Sequence, residues 1–121
     1  RVLVVDDLLD VAEVLADMLD GAGAIAFAES DPQEAQNILS EMPEAWSVLV
    51  TDLHMPGIDG LELARFAAQL EPPIPAVLVT ARPETLDDAV CTEFAAVLSK
   101  PVSGAELARA VRQAAPRRSV I

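Results

Sequence analysis

The stretch VLVTDLHMPGIDGLEL, Val48 to Leu63, decides how the rest of the chain is read. Ser47 to Thr51 is apolar and β-branched with no polar alternation, the pattern of a strand covered on both faces. That strand ends on a carboxylate, Asp52, and a Pro56-Gly57 turn follows before helical periodicity starts at Leu61. Val2 to Val5 behaves the same way and ends on Asp6-Asp7. Two buried strands that each deliver acid at the C-terminal end imply one shared acidic pocket.

Working outward, Val11, Val14, Leu15, Met18 and Leu19 recur at helical spacing, and Gly21 or Gly23 stops that helix. Ala24 to Ala28 is a weak strand. Ser30-Asp31-Pro32 is a cap with an early helical proline, opening a helix through Ala35, Ile38 and Leu39 that ends before Pro43. Leu61 to Leu70 is a helix closed by Pro72-Pro73, Ala76 to Thr80 a strand, Pro83 to Phe94 a short polar helix, and Val97 to Ser99 the last strand. Ser103 and Glu106 form a capping box for a final helix that turns Leu107, Ala108 and Val111 inward and runs to about Ala115. The tail Pro116-Arg117-Arg118-Ser119 reads as a frayed end. Alternating strands and helices mean parallel β/α units, and right-handed crossovers put helices on both faces of the sheet. Gly57 and Gly60 read as turn glycines with positive φ, and Met55 as packed beneath the loop.

The 121 residues make one domain, 1–121, and the abrupt start on a strand suggests a fragment of a longer protein. With 52% apolar and 3% aromatic residues, the core is expected to be Val, Leu, Ile and Ala. A net charge of −12 argues against direct nucleic-acid binding, which needs clustered Lys and Arg, and against contact with an anionic membrane. The single cysteine, Cys91, cannot form an internal disulfide, and no segment reads as a membrane span or signal peptide, so a cytoplasmic location is expected.

In an open parallel sheet, ligands bind beyond the carboxyl ends of the strands. Asp6, Asp7, Asp52, Thr80 and Lys100 all fall at such ends. Clustered carboxylates persist when a cation neutralises them, and hard oxygen ligands at a shallow edge suit Mg²⁺. Lys100 can pair with Asp52 and then with a phosphoryl oxygen, and the Thr80 hydroxyl can donate to the same group. Phosphoryl transfer needs positioning and charge neutralisation, with Asp52 as nucleophile forming an acyl phosphate.

The stretches VLVVDD, LVTDLHMPGIDGLEL, VLVTA and LSKP, in this order, resemble the receiver domain of two-component response regulators over nearly the whole chain. The resemblance implies a flavodoxin-like α/β fold, a five-stranded parallel sheet in the order 2-1-3-4-5. It implies that Asp52 takes a phosphoryl group from a histidine kinase or a histidine phosphotransfer protein. It implies Mg²⁺ on Asp7, Asp52 and the His54 backbone carbonyl, with Asp6 acting through water. Lys100 and Thr80 would hold the phosphoryl group, and Pro101 would follow a cis peptide bond. Thr80, Val97 and Pro101 take the positions of the family's switch, but Val97 stands where an aromatic ring is usual. His54 and Arg82 fall where side chains flank the phosphoryl group. A linked kinase or effector domain and a weak homodimer remain open, and the loops VLVTARPE and LSKPVS look most like receivers of hybrid histidine kinases.

Plainer readings exist for each residue: Asp6-Asp7 as a helix cap, Asp52 as a turn residue, Thr80 as a strand end, Lys100 as a solvated lysine and His54 as an exposed loop histidine. At the level of function the leading reading is a phosphoacceptor domain, not an enzyme in its own right. The alternatives are a receiver-like binding module without phosphotransfer and an aspartyl-nucleophile phosphohydrolase. The latter wants a second aspartate where His54 stands, and a cap insertion.

Overall fold

A continuous apolar strand needs cover on both faces, and the chain supplies it by alternation. The computed structural model describes residues 1–116; the tail reading at Arg117 to Ser119 lies outside the described residues. The strands are β1 (Val2–Val5), β2 (Ala26–Glu29), β3 (Val48–Thr51), β4 (Ala76–Thr80) and β5 (Ala96–Ser99). The helices are α1 (Leu9–Gly21), α2 (Pro32–Glu41), α3 (Gly60–Ala68), α4 (Asp88–Cys91) and α5 (Gly104–Ala114), with short 3-10 turns at Pro43–Ala45 and Pro83–Thr85. All strand pairs are parallel, in the order β2-β1-β3-β4-β5, as the resemblance implies.

Successive strand residues face opposite sides. Val2, Val4, Val48, Val50, Val77 and Val79 pack with Ala12, Leu15 and Leu19 of α1 and Leu107 and Val111 of α5. Leu3, Val5, Leu49, Ala76 and Leu78 pack with Ala35 and Leu39 of α2 and Leu63, Ala64 and Ala67 of α3. Every residue of β1, β3 and β4 is buried, whereas the edge strands β2 and β5 are mostly half-buried. The core is mainly aliphatic, but Trp46, Phe94 and Met55 join the α2/α3 side, which an aliphatic-only expectation missed.

Caps set the helix starts. Asp31 accepts from the Gln33 N–H at 2.9 Å, with Pro32 opening α2. Asp59 and Glu62 form a capping box on α3, and Ser103 and Glu106 form the expected one on α5. Two readings need correction. Val14 is 53% exposed, on the rim of a groove that Val11, Leu15 and Met18 share with Lys100, Pro101 and Val102. The segment Pro83–Phe94 is not one helix: a 3-10 turn ends at Thr85, Asp87 caps a new start, and α4 is a single turn.

Candidate functional site

Register brings the strand ends level. Val5 pairs with Thr51, so the next residues, Asp6 and Asp52, stand side by side on the α1/α5 face. The Asp52 N–H donates to the Val5 carbonyl at 3.0 Å, and the Asp6 N–H to that of Glu29 at 3.2 Å. At the other side, Thr80 pairs with Ser99 and the Lys100 N–H donates to the Thr80 carbonyl at 2.8 Å. Lys100 therefore leaves β5 towards the same end.

One carboxylate oxygen from each of Asp6, Asp7 and Asp52 lies within 4.8 Å of the others. Asp6 is buried, Asp52 half-buried and Asp7 exposed. The Lys100 Nζ is 3.0 Å from Asp6 Oδ2 and 3.7 Å from Asp52 Oδ1. Asp6 Oδ1 also accepts from the Leu8 N–H at 3.0 Å, but Leu8 is itself the N-cap of α1 and no side chain caps that helix, so the helix-cap reading of Asp6-Asp7 does not hold. The lysine's nearer partner is thus Asp6, not the Asp52 that the strand-end pattern suggests. Burial raises the Asp52 pKa; Lys100 and the Leu53 N–H oppose the shift, and Asp6 and Asp7 reinforce it. A pocket that holds three hard oxygen donors and disfavours charge on one of them fits a small divalent cation better than a soft metal.

Thr80 is 1% exposed, and its Oγ1 accepts from the Arg82 N–H at 3.3 Å. Val97 pairs with Leu78, on the sheet face to which Thr80 also alternates. His54 and Arg82 are exposed, while Met55 between the loop and α3 is 8% exposed. The Lys100-Pro101 peptide is cis. Gly57 has φ +81°, as a turn glycine should, but Gly60 does not share that conformation. A Cβ on Gly60 would lie 2.1 Å from the Asp52 carbonyl oxygen, so this glycine serves close backbone contact instead. Thr51, read only as part of a strand, donates its hydroxyl to the same carbonyl at 2.8 Å. Its signal was present as a polar residue closing an apolar strand, as Thr80 does in β4.

A model of the response regulator receiver domain family matches residues 2–112. The chain belongs to that family. The receiver is 38% identical, over 93% of its length and 87% of the relative's, to an uncharacterised 14.6 kDa protein of Leptolyngbya boryana. Two other curated relatives are matched over 43% and 46% of their own length, so the receiver spans less than half of those proteins. Among solved structures it resembles the response regulator TrrA of Thermotoga maritima in complex with Mg²⁺ and BeF, with 25% identity, a TM-score of 0.80, and 94% and 97% of the two chains covered. It also resembles the receiver domain of the hybrid histidine kinase CckA, with 29% identity, a TM-score of 0.77, and 94% and 97% covered. The protein is a phosphoacceptor signalling domain of two-component type.

Proposed function

We propose that Asp52 is the phosphoacceptor and that Asp6, Asp7, Thr80 and Lys100 form its reaction site. The juxtaposition of three carboxylates with the Lys100 ammonium at a single sheet end carries this reading. One Asp52 carboxylate oxygen attacks phosphorus, the bond from phosphorus to the donor nitrogen or oxygen breaks, and its electron pair leaves with the donor. When bound, Mg²⁺ would supply charge neutralisation to the carboxylates and to the phosphoryl oxygens. Asp7 and Asp52, with the His54 carbonyl, would hold it. Asp6 already accepts from Lys100 and Leu8, which favours its acting through water. Lys100 and the Thr80 hydroxyl would then bind phosphoryl oxygens.

The donor on this reading is a histidine kinase or histidine phosphotransfer protein in the cytoplasm. Similarity to the CckA receiver supports a hybrid-kinase parent, in which residues 1–121 form one receiver domain. With Val97 at the switch position, output on this reading does not run through a swinging aromatic ring. Among the described residues, no helix is long and apolar enough to cross a membrane.

The test is incubation with acetyl phosphate, with and without Mg²⁺, read by intact mass. Wild type should gain one phosphate only with Mg²⁺, and Asp52→Asn none. Equal labelling of the Asn variant would end the assignment.

A further inference from the structure

We infer that Gly60 and Thr51 together clamp the Asp52–Leu53 peptide plane, and that this clamp aims the Asp52 carboxylate into the pocket. The inference rests on Asp52 being the phosphoacceptor and adds two positioning residues outside the acidic cluster. A single peptide unit joins the parts. Its carbonyl oxygen, on Asp52, accepts from the Thr51 hydroxyl at 2.8 Å and stands where a Cβ on Gly60 would point. Its N–H, on Leu53, donates to Asp52 Oδ1 at 2.9 Å. Because a peptide is planar, the carbonyl cannot tilt without swinging the N–H that holds the carboxylate.

The space at Gly60 sets that tilt. A Cβ there would lie 2.1 Å from the Asp52 oxygen, 2.9 Å from the Leu53 Cα and 3.0 Å from the Asp52 carbonyl carbon. All three are backbone atoms, so no flexible side chain can give way. Retreat of α3 is also hindered. Leu63, Ala64 and Ala67 are buried, the Asp59 box caps the helix, and the Gly60 N–H donates to the Leu53 carbonyl at 2.8 Å. A methyl group at residue 60 must therefore displace the Asp52–Leu53 backbone. A shift of roughly 1 Å in a reacting group can cost about 100-fold in rate. Gly57 is the contrast within the same loop: it needs its positive φ, but nothing lies within 4 Å of a Cβ there.

The experiment measures acetyl phosphate labelling per folded molecule, with folded fraction from near-ultraviolet circular dichroism, and Leu53 amide exchange by NMR. Gly60→Ala should label roughly 100-fold more slowly and lose Leu53 protection while the β3 amides keep theirs. Gly57→Ala should lower Tm but label at the wild-type rate. Thr51→Val should slow labelling roughly five- to tenfold, the scale of one hydrogen bond, and Thr51→Ser should restore it. If Gly60→Ala does not fold, the Thr51 pair decides. Wild-type rates in Gly60→Ala, or in Thr51→Val, overturn the clamp while leaving Asp52 as acceptor. Wild type that takes no phosphate overturns the acceptor reading and the clamp with it.

Discussion

Asp52 holds its charge where burial and two neighbouring carboxylates oppose it, so its folded pKa is raised above the ordinary 3.8. A raised carboxyl pKa means the fold favours the protonated form. That contribution is present at acid pH and is lost as pH rises through the folded value. In metal-free protein, Asp52→Asn should therefore raise Tm at pH 7, and the gap should narrow on acidification and on adding Mg²⁺. A thermal melt series over pH checks this; a gap that widens on acidification would contradict the assigned cause. Lys100 acts in the opposite sense. Its loss leaves Asp6, whose side chain is 2% exposed, without its 3.0 Å partner. Lys100→Met should cost about 1–3 kcal/mol in urea unfolding, and less in an Asp6→Asn background, because the orphaned charge is then gone. Residue identities at the strand ends were legible because a carboxylate closing a buried strand is conspicuous. That Lys100 lies nearer Asp6 than Asp52 was not, since it depends on side-chain reach across two strands.

At the scale of elements, the caps were the clearest signals. Ser103 accepts from the Glu106 N–H at 3.1 Å, so Ser103→Ala should destabilise the fold by about 1 kcal/mol, seen as a lower urea midpoint at an unchanged slope. The α4 segment was the least legible. Pro83 and Asp87 each start a turn, and the segment's apolar residues are too few to anchor a long helix; only Phe94, just beyond α4, is buried. With so little packing, its backbone should open most easily. The Cys91 amide, bonded to the Asp87 carbonyl at 3.1 Å, should exchange faster than the Leu63 amide in α3. Slower exchange at Cys91 would show that the short helix is held more firmly than its contacts suggest.

For the molecule as a whole, the central strands anchor both halves of the core. Leu49 is 0% exposed on the α2/α3 side, and Leu49→Ala should cost about 2–5 kcal/mol, lowering the urea midpoint and weakening Mg²⁺ binding only through the unfolded fraction. The amino-acid pattern alone determined the number and order of the strands, the caps of α2 and α5, and the acids and lysine that close the strands. Those features are local: residue type, period and chain breaks act over a few neighbours. Only the tertiary structure decided that Asp6 stands beside Asp52, that Gly60 presses on the Asp52 carbonyl, and that Val14 faces outward. Each of these follows from which distant segments pack together and in what register, a choice made by the joint burial of two sheet faces and invisible to any one stretch of sequence.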